Sequence, residues 1–226
     1  MSAPQKGRFI TLEGGEGAGK STQLRRLAET LAKTLAARGI DVLTTREPGG
    51  SQGAEEIRAL LVSGDTGRWG PVTEALLHSA ARRDHLERTV WPALEAGRWV
   101  VCDRFFDSTM AYQGYGLGLG RERIAALQAL ALDGFRPDLT LILDIDVQTG
   151  LRRAVARAGG EAGGEDRYER MDVGFHERLR HGFLDIAERE PERCAVIDAD
   201  ADADHVQARV WNAVASRLGL ALESAS

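Results

Sequence analysis

Apolar residues gather first at Arg8–Glu13, a short run that reads as a strand, and then change period. From Lys20 to about Arg38 the leucines 24, 27, 31 and 35 recur at three- and four-residue steps, the spacing of one helical face. A glycine-rich turn joins the two, Gly39 supplies a helix stop, and the β-branched stretch Asp41–Thr45 reads as a second strand, so the unit predicts a parallel strand pair bridged by a helix. The alternation continues with helices over Glu55–Val62 and Thr73–Ala96, a strand at Trp99–Cys102, a helix at Glu122–Leu132, a strand at Leu139–Asp144 and a helix at Thr149–Ala158. A helix at Asp172–Arg189, a strand at Ala195–Ile197 and a helix at Asp202–Leu218 close it. The pattern predicts an α/β fold: a doubly wound five-stranded parallel sheet with helices on both faces, forming a single domain over residues 1–226. Ligands bind such sheets outside the carboxyl ends of the strands, which directs attention to Gly14–Lys20, Arg46–Ser51, Asp103–Gly120 and Asp144–Asp146.

Hydrophobic residues make up 43% of the chain and charged residues 28%, a balance that supports a sizeable core and excludes global disorder. The net charge of -5 makes the chain a poor partner for nucleic-acid backbones, so a phosphate-bearing ligand must be met by locally clustered arginines. That favours a small nucleotide in a cleft. Cys102 and Cys194 lie far apart within apolar stretches and read as inert core thiols of a reducing cytoplasm. The start of the chain carries no apolar signal core, and no apolar run approaches the roughly 20 residues of a membrane helix, so no membrane partner is expected.

Gly14-Gly15-Glu16-Gly17-Ala18-Gly19-Lys20-Ser21 matches the G-x-x-x-x-G-K-[ST] pattern in the strand, loop, helix setting that its mechanism demands, and predicts a P-loop NTPase fold that binds ATP. The glycines let successive backbone N–H groups face phosphate oxygens, and the helix that starts near Lys20 and runs on through Thr22 adds its positive dipole end. Lys20 is expected to span the β- and γ-phosphates and Ser21 to ligate Mg²⁺. Asp103, at the end of another strand, is a second metal candidate; Glu13 is either a ligand of metal-bound water or a solvated strand end. A carboxylate in the loop itself, Glu16, would repel a polyphosphate and is expected to face the second substrate.

A P-loop alone does not choose the acceptor. Arginine-bearing segments at the other strand ends do: Arg46-Glu47-Pro48-Gly49-Gly50, Ala80-Ala81-Arg82 and Asp103-Arg104-Phe105 can converge on one cleft, and guanidinium groups clasp phosphate with paired hydrogen bonds. Taken with Phe9–Thr22, Asp103–Gly114 (DRFFDSTMAYQG) and Phe135–Asp144, these segments closely resemble the thymidylate kinase family over nearly the whole chain. The resemblance implies ATP-dependent phosphorylation of dTMP to dTDP, with Arg46 and Arg104 on the dTMP phosphate, Arg82 on the thymine edge, Thr109 and Gln113 beside the base, and Tyr112 near the sugar. It also implies a homodimer. His78 departs from the family, which usually places a phenylalanine there to stack on thymine; it is either an imidazole platform or a structural histidine.

Ala158–Asp166, with four glycines and three acids, interrupts the helical reading, and its arginine flanks suit a short mobile lid over about residues 157–170. With Glu16 in the loop, the chain resembles the bacterial type of the family, whose lid supplies the transition-state cation. Arg167 stands in that place and Arg157 is the second candidate. Other monophosphate kinases, or a P-loop protein that binds without transfer, are the competing readings; Arg82 and Tyr112 separate the first, and the acceptor-side and lid arginines the second.

Overall fold

The computed structural model of the protein describes residues 6–64, 67–158 and 167–220, except for the side chains of Arg157 and Ala158. Among them run β1 (Phe9–Glu13), α1 (Lys20–Ala36), β2 (Val42–Arg46), α2 (Gln52–Val62), α3 (Pro71–His85), α4 (Trp91–Glu95), β3 (Trp99–Asp103) and α5 (Phe106–Thr109). Next come α6 (Arg121–Leu132), β4 (Leu139–Asp144), α7 (Val147–Ala158), α8 (Val173–Arg189), β5 (Cys194–Asp198) and α9 (Ala203–Leu218). The strands form a five-stranded sheet in the order β2-β3-β1-β4-β5, every neighbouring pair parallel. The glycine-rich core of the expected lid, residues 159–166, lies outside the described residues.

Side chains alternate between faces along each strand. Ile10 and Leu12 of β1, Val101 of β3 and Leu141 and Leu143 of β4 pack with Leu27, Leu31 and Leu35 of α1 and Val206, Val210 and Val214 of α9. Phe9, Val100 and Cys102 turn the other way, toward Leu86, Val90 and Phe105. Ile142 meets Phe175, Leu179 and Phe183 of α8. Both faces are covered, which explains why the strands read as near-continuous apolar runs. The sheet delivers the ends of β1, β2, β3 and β4 to one edge, and the P-loop follows the central strand.

Two helical details differ from the sequence expectation. Thr73–Ala96 is divided into α3, a π-helical turn at Leu86–Val90 and α4, where Pro92 has no N–H to return to the preceding turn. Asp103–Gly120 contains α5 and a further π-helical segment, Met110–Gly116, in which the Leu117 N–H reaches the Tyr112 carbonyl at 2.8 Å. This buried segment carries the acceptor-side residues Tyr112 and Gln113.

Two buried carboxylates fix the turn that follows β3. Asp107, 1% exposed, receives Arg193 in a two-pronged pair at 2.6 and 3.0 Å, and Arg193 also donates to Thr140 at 2.6 Å. Glu13, fully buried, accepts from the Phe105 N–H at 2.7 Å, the Ser108 N–H at 3.3 Å and the Ser108 hydroxyl at 2.5 Å. It is therefore not a solvated strand end: both of its oxygens accept from the turn. Burial, reinforced by Asp107, pushes the Glu13 carboxyl up to about 8 against the opposing pull of Ser108, Arg104 and the Phe105 amide.

Removing one partner of a buried pair leaves the other charge uncompensated, so Arg193→Met is expected to lower the unfolding free energy by about 3–5 kcal/mol, and Asp107→Asn in the same chain to recover part of the loss. Denaturant unfolding measures both. Glu13 gives a pH dependence of definite sign: its folded value lies above the ordinary 4.5, so the stability it contributes is full below that value and is lost as pH rises through about 8. Unfolding free energies at pH 5, 6.5 and 8 are expected to fall by on the order of a few kcal/mol in the wild type and to be flatter in Glu13→Gln, whose amide oxygen can accept from the two backbone N–H groups while its NH₂ donates to the Ser108 hydroxyl oxygen. Parallel pH curves would show that Glu13 is ionised throughout.

Candidate active site

The chain between β1 and α1 has to turn beneath a ligand while packed against β4 and α7. At Gly14, φ is 137° and a Cβ would stand 2.5 Å from the Leu143 carbonyl oxygen; at Gly17, φ is 68° and a Cβ would stand 1.9 Å from that of Gly150. No other residue fits either place. Gly19 precedes α1 without any side-chain cap and Ala18 is buried beneath the loop, so the first N–H groups of the helix are left for an anion. Ser21 and Thr22 are exposed on that first turn. Lys20, 8% exposed, donates to the carbonyls of Gly14 at 3.1 Å and Gly15 at 2.7 Å. Burial, then the neighbouring Arg104, lowers its ammonium to about 8.

Arg104 has a left-handed backbone, φ 66°, in the turn that Glu13 braces. Its guanidinium donates to the Gly14 carbonyl at 3.1 Å, Ser108 Oγ at 3.2 Å and Glu16 Oε1 at 3.2 Å, and lies 4.9 Å over the Tyr112 ring. The Tyr112 hydroxyl donates to the same Glu16 oxygen at 2.6 Å. Burial opposes the charged form of Glu16, yet Arg104, Lys20 and the Tyr112 hydroxyl outweigh it and hold the carboxyl down at about 2. The P-loop acid is thus a permanent anion that ties the acceptor-side arginine and tyrosine to the phosphate loop.

The four-residue spacing of Glu74, His78 and Arg82 places them in one stripe of α3. Arg82, 2% exposed, donates from Nε to Glu47 at 2.7 Å and from Nη2 to the Phe105 carbonyl at 3.1 Å and Thr109 Oγ1 at 2.9 Å. Its Nη1 is buried with no partner among the described residues. Glu47 is held in turn by His85 Nδ1 at 2.9 Å. His78 is half-buried, with Nε2 3.5 Å from the Tyr168 hydroxyl, and burial followed by Arg82, Arg167 and Arg104 drives its imidazole down to about 3, so it is neutral. Gln113 donates from Nε2 to Glu74 at 2.7 Å and to the Tyr168 oxygen at 3.1 Å. Arg46 is exposed and meets Glu55 at 3.2 Å.

At the expected metal position, the Ser21 hydroxyl donates to Asp103 Oδ2 at 3.0 Å while Asp103 Oδ1 is buried and without a partner among the described residues. A hydroxyl beside an unsatisfied carboxylate oxygen fits Mg²⁺, which takes few protein oxygens and shares the rest of its shell with phosphates. Arg167, 4% exposed, donates to Glu74 of α3 at 2.5 Å and to the Leu61 carbonyl of α2 at 3.2 Å. The Arg157 side chain lies outside the described residues.

Sequence reasoning passed over Glu47, Glu74, Tyr168 and His176. Glu47 stood in view inside Arg46–Gly50, and Glu74 had the four-residue spacing with His78 and Arg82 as its signal. His176, 3% exposed, lines a cavity with Glu16, Asp144 and Arg180, and its Nε2 has no partner among the described residues. Nothing in its local pattern marks it.

A family model described as thymidylate kinase matches residues 12–210. A thymidylate kinase of Caulobacter vibrioides is 57% identical over 215 residues, spanning 95% of this chain and 99% of that protein. One from Bradyrhizobium sp. (strain ORS 278) is 50% identical over 223 residues, spanning 99% and 96%. The crystal structure of thymidylate kinase from Ehrlichia chaffeensis is similar with a TM-score of 0.75 at 34% identity, covering 92% of this chain and 99% of that one. A P-loop braced by arginine and glutamate, an arginine-bearing acceptor wall and these full-length likenesses lead to one conclusion: the chain belongs to the thymidylate kinase family.

Proposed function

We propose that the chain transfers the γ-phosphoryl group of ATP to dTMP, giving dTDP and ADP, and so supplies dTTP synthesis for DNA replication. The observation that carries the acceptor is the buried Arg82, pinned at Nε and Nη2 and leaving Nη1 as an unspent donor at the site's wall. A buried donor of this kind calls for an acceptor from the ligand, and a pyrimidine 4-oxo group supplies one. Neutral His78 lies on the same stripe and suits stacking on the base.

An oxygen of the dTMP phosphate attacks the γ-phosphorus in line, the bond from that phosphorus to the bridging oxygen breaks, and ADP leaves. The nucleophile is already an anion near neutral pH, so no general base is needed. The P-loop amides of residues 14–19 and the first turn of α1 through Thr22 cradle the ATP phosphates, and Lys20 exchanges its loop carbonyls for β- and γ-phosphate oxygens. Ser21 and Asp103 would hold Mg²⁺, which when bound neutralises phosphate charge. Arg104 and Arg46 hold the dTMP phosphate; the exposed pair of Arg46 with Glu55 is weak and easily exchanged for it. Glu16 keeps Arg104 and Tyr112 in place.

Arg167 would have to leave a buried carboxylate uncompensated in order to reach the γ-phosphate, so we assign the transition-state cation to Arg157 and an anchoring role to Arg167. The chain is proposed to act as a single kinase domain with its lid over about residues 157–170, and as a cytoplasmic homodimer. Exposed Leu60, Val72 and Leu76 on α2 and α3 offer an apolar contact face for a second copy. Among the described residues no helix is long and apolar enough to cross a membrane.

Tyr112 is 4% exposed and tied to Glu16, so it is not free to swing aside for a ribose 2′-hydroxyl. Purified enzyme in an ADP-release assay is expected to turn over dTMP and dUMP well and UMP poorly; equal rates for dUMP and UMP would remove Tyr112 from that role. Arg104→Ala is expected to raise the KM for dTMP on the order of tenfold or more, since hydrogen bonds to charged groups contribute about 1.5–3 kcal/mol each. For the cation, Arg157→Ala should lower single-turnover kcat at least roughly tenfold with ATP binding nearly intact, because the contact matters mainly in the transition state. Arg167→Ala should chiefly lower stability. A large kcat loss in Arg167→Ala, with Arg157→Ala unaffected, would reverse the assignment.

A further inference from the structure

Glu74 is fully buried on α3 and faces three groups. Its Oε2 accepts from Arg167 at 2.5 Å, and its Oε1 accepts from the Tyr168 hydroxyl at 2.5 Å and from Gln113 Nε2 at 2.7 Å. A carboxylate matched by a guanidinium has no proton to give, so each of these neighbours must donate. This determines which way the Gln113 amide points, a matter that hydrogen-bond accounting decides. Its NH₂ faces Glu74 and the Tyr168 oxygen, which has given its own proton to Glu74 and can only accept. The Gln113 side-chain oxygen, Oε1, receives no hydrogen bond from a described residue, while the backbone carbonyl accepts from the Leu119 N–H at 3.1 Å.

We propose that Glu74 sets the hydrogen-bond polarity of the base pocket and thereby its choice between pyrimidines. With Gln113 oriented by Glu74, the wall presents a donor, Arg82 Nη1, and an acceptor, Gln113 Oε1. A 4-oxo pyrimidine offers the complement, an acceptor at O4 and a donor at N3. A 4-amino pyrimidine offers the reverse, so donor meets donor and acceptor meets acceptor beside two buried side chains. Sites built to pair a polar group reject a ligand that leaves that group unpaired far better than apolar pockets reject a change of size. Glu74 is a positioning residue that acts through Gln113, and the inference rests on the acceptor site assigned above.

The test is the ratio of kcat/KM for dTMP to that for dCMP in the wild type, Glu74→Gln, Gln113→Leu and the double variant. Glu74→Gln removes the acceptor-only constraint and lets the Gln113 amide turn, so the ratio is expected to fall at least about tenfold. In the Gln113→Leu background the same substitution should leave the ratio unchanged, since the relay is gone. Tyr168→Phe, which keeps the carboxylate, should retain the wild-type ratio. A merely structural role for Glu74 would depress both acceptors alike, and that result overturns the proposal. If Gln113→Leu itself leaves the ratio untouched, the base pocket has been misplaced and the proposal falls with it; if only Gln113→Leu lowers it, the pocket stands and Glu74 alone is refuted. Should Glu74→Gln fail to fold, Glu74→Gln/Arg167→Gln removes both charges together. The wild-type complex with dTMP gives an independent readout: nuclear Overhauser contacts of the Gln113 amide protons to Tyr168 support the orientation, and contacts to the thymine imino proton overturn it.

Discussion

A carboxylate taken out of water has to be met by donors, and the cleft at the strand ends is organised by that requirement. Glu13 gathers the amides of the turn after β3, Glu16 draws Arg104 and Tyr112 to the phosphate loop, Glu47 fixes Arg82, and Glu74 collects Arg167, Tyr168 and Gln113. Each acid holds polar side chains of the cleft in place. The arginines are therefore aimed before any nucleotide arrives, and less ordering is left for binding to accomplish. Without these acids the same arginines would be long, freely rotating side chains.

The arrangement also resolves the conflict between the chain's negative charge and its anionic ligands. Lys20, Arg104 and Glu16 lie within one set of contacts, and the arginine and lysine dominate strongly enough to keep Glu16 ionised at any ordinary pH. The local field is set by geometry over a few ångströms, whereas the net charge of -5 is spread over a surface screened by salt. Lys20 rests on carbonyl oxygens of the loop, acceptors weaker than phosphate, so replacing them by phosphate runs downhill.

The central strands were legible as short apolar runs, because the sheet is covered on both faces, and the long helices because one face of each is apolar and the other is not. The segment from Phe106 to Gly114 defeats that test: it is buried all round, so its polar and apolar residues carry no period although it is helical throughout. At the site, glycine spacing revealed the P-loop, since Gly14 and Gly17 occupy places that no other residue can. The arginines could be named but not aimed. Their acids lie far away in the chain, Glu47 35 residues from Arg82 and Glu16 88 residues from Arg104, and no local pattern records such a pairing. Arg167 shows the consequence, for its buried partner Glu74 lies 93 residues away in the chain.

Because the same acids stabilise the fold and orient the readers, stability and specificity share residues in this cleft. Glu47 contacts both Arg82 and His85, and His85 reaches Thr45 at the end of β2 at 2.7 Å, so a single carboxylate links strand register to the base-reading helix. A substitution there acts twice, by leaving Arg82 buried without its counter-charge and by releasing the guanidinium from its fixed orientation. His78 is different. It projects from the same stripe of α3, is half-buried and neutral, and its one hydrogen-bonding contact among the described residues is the long one to Tyr168. A change of ring at His78 therefore leaves undisturbed the acids that hold the rest of the cleft.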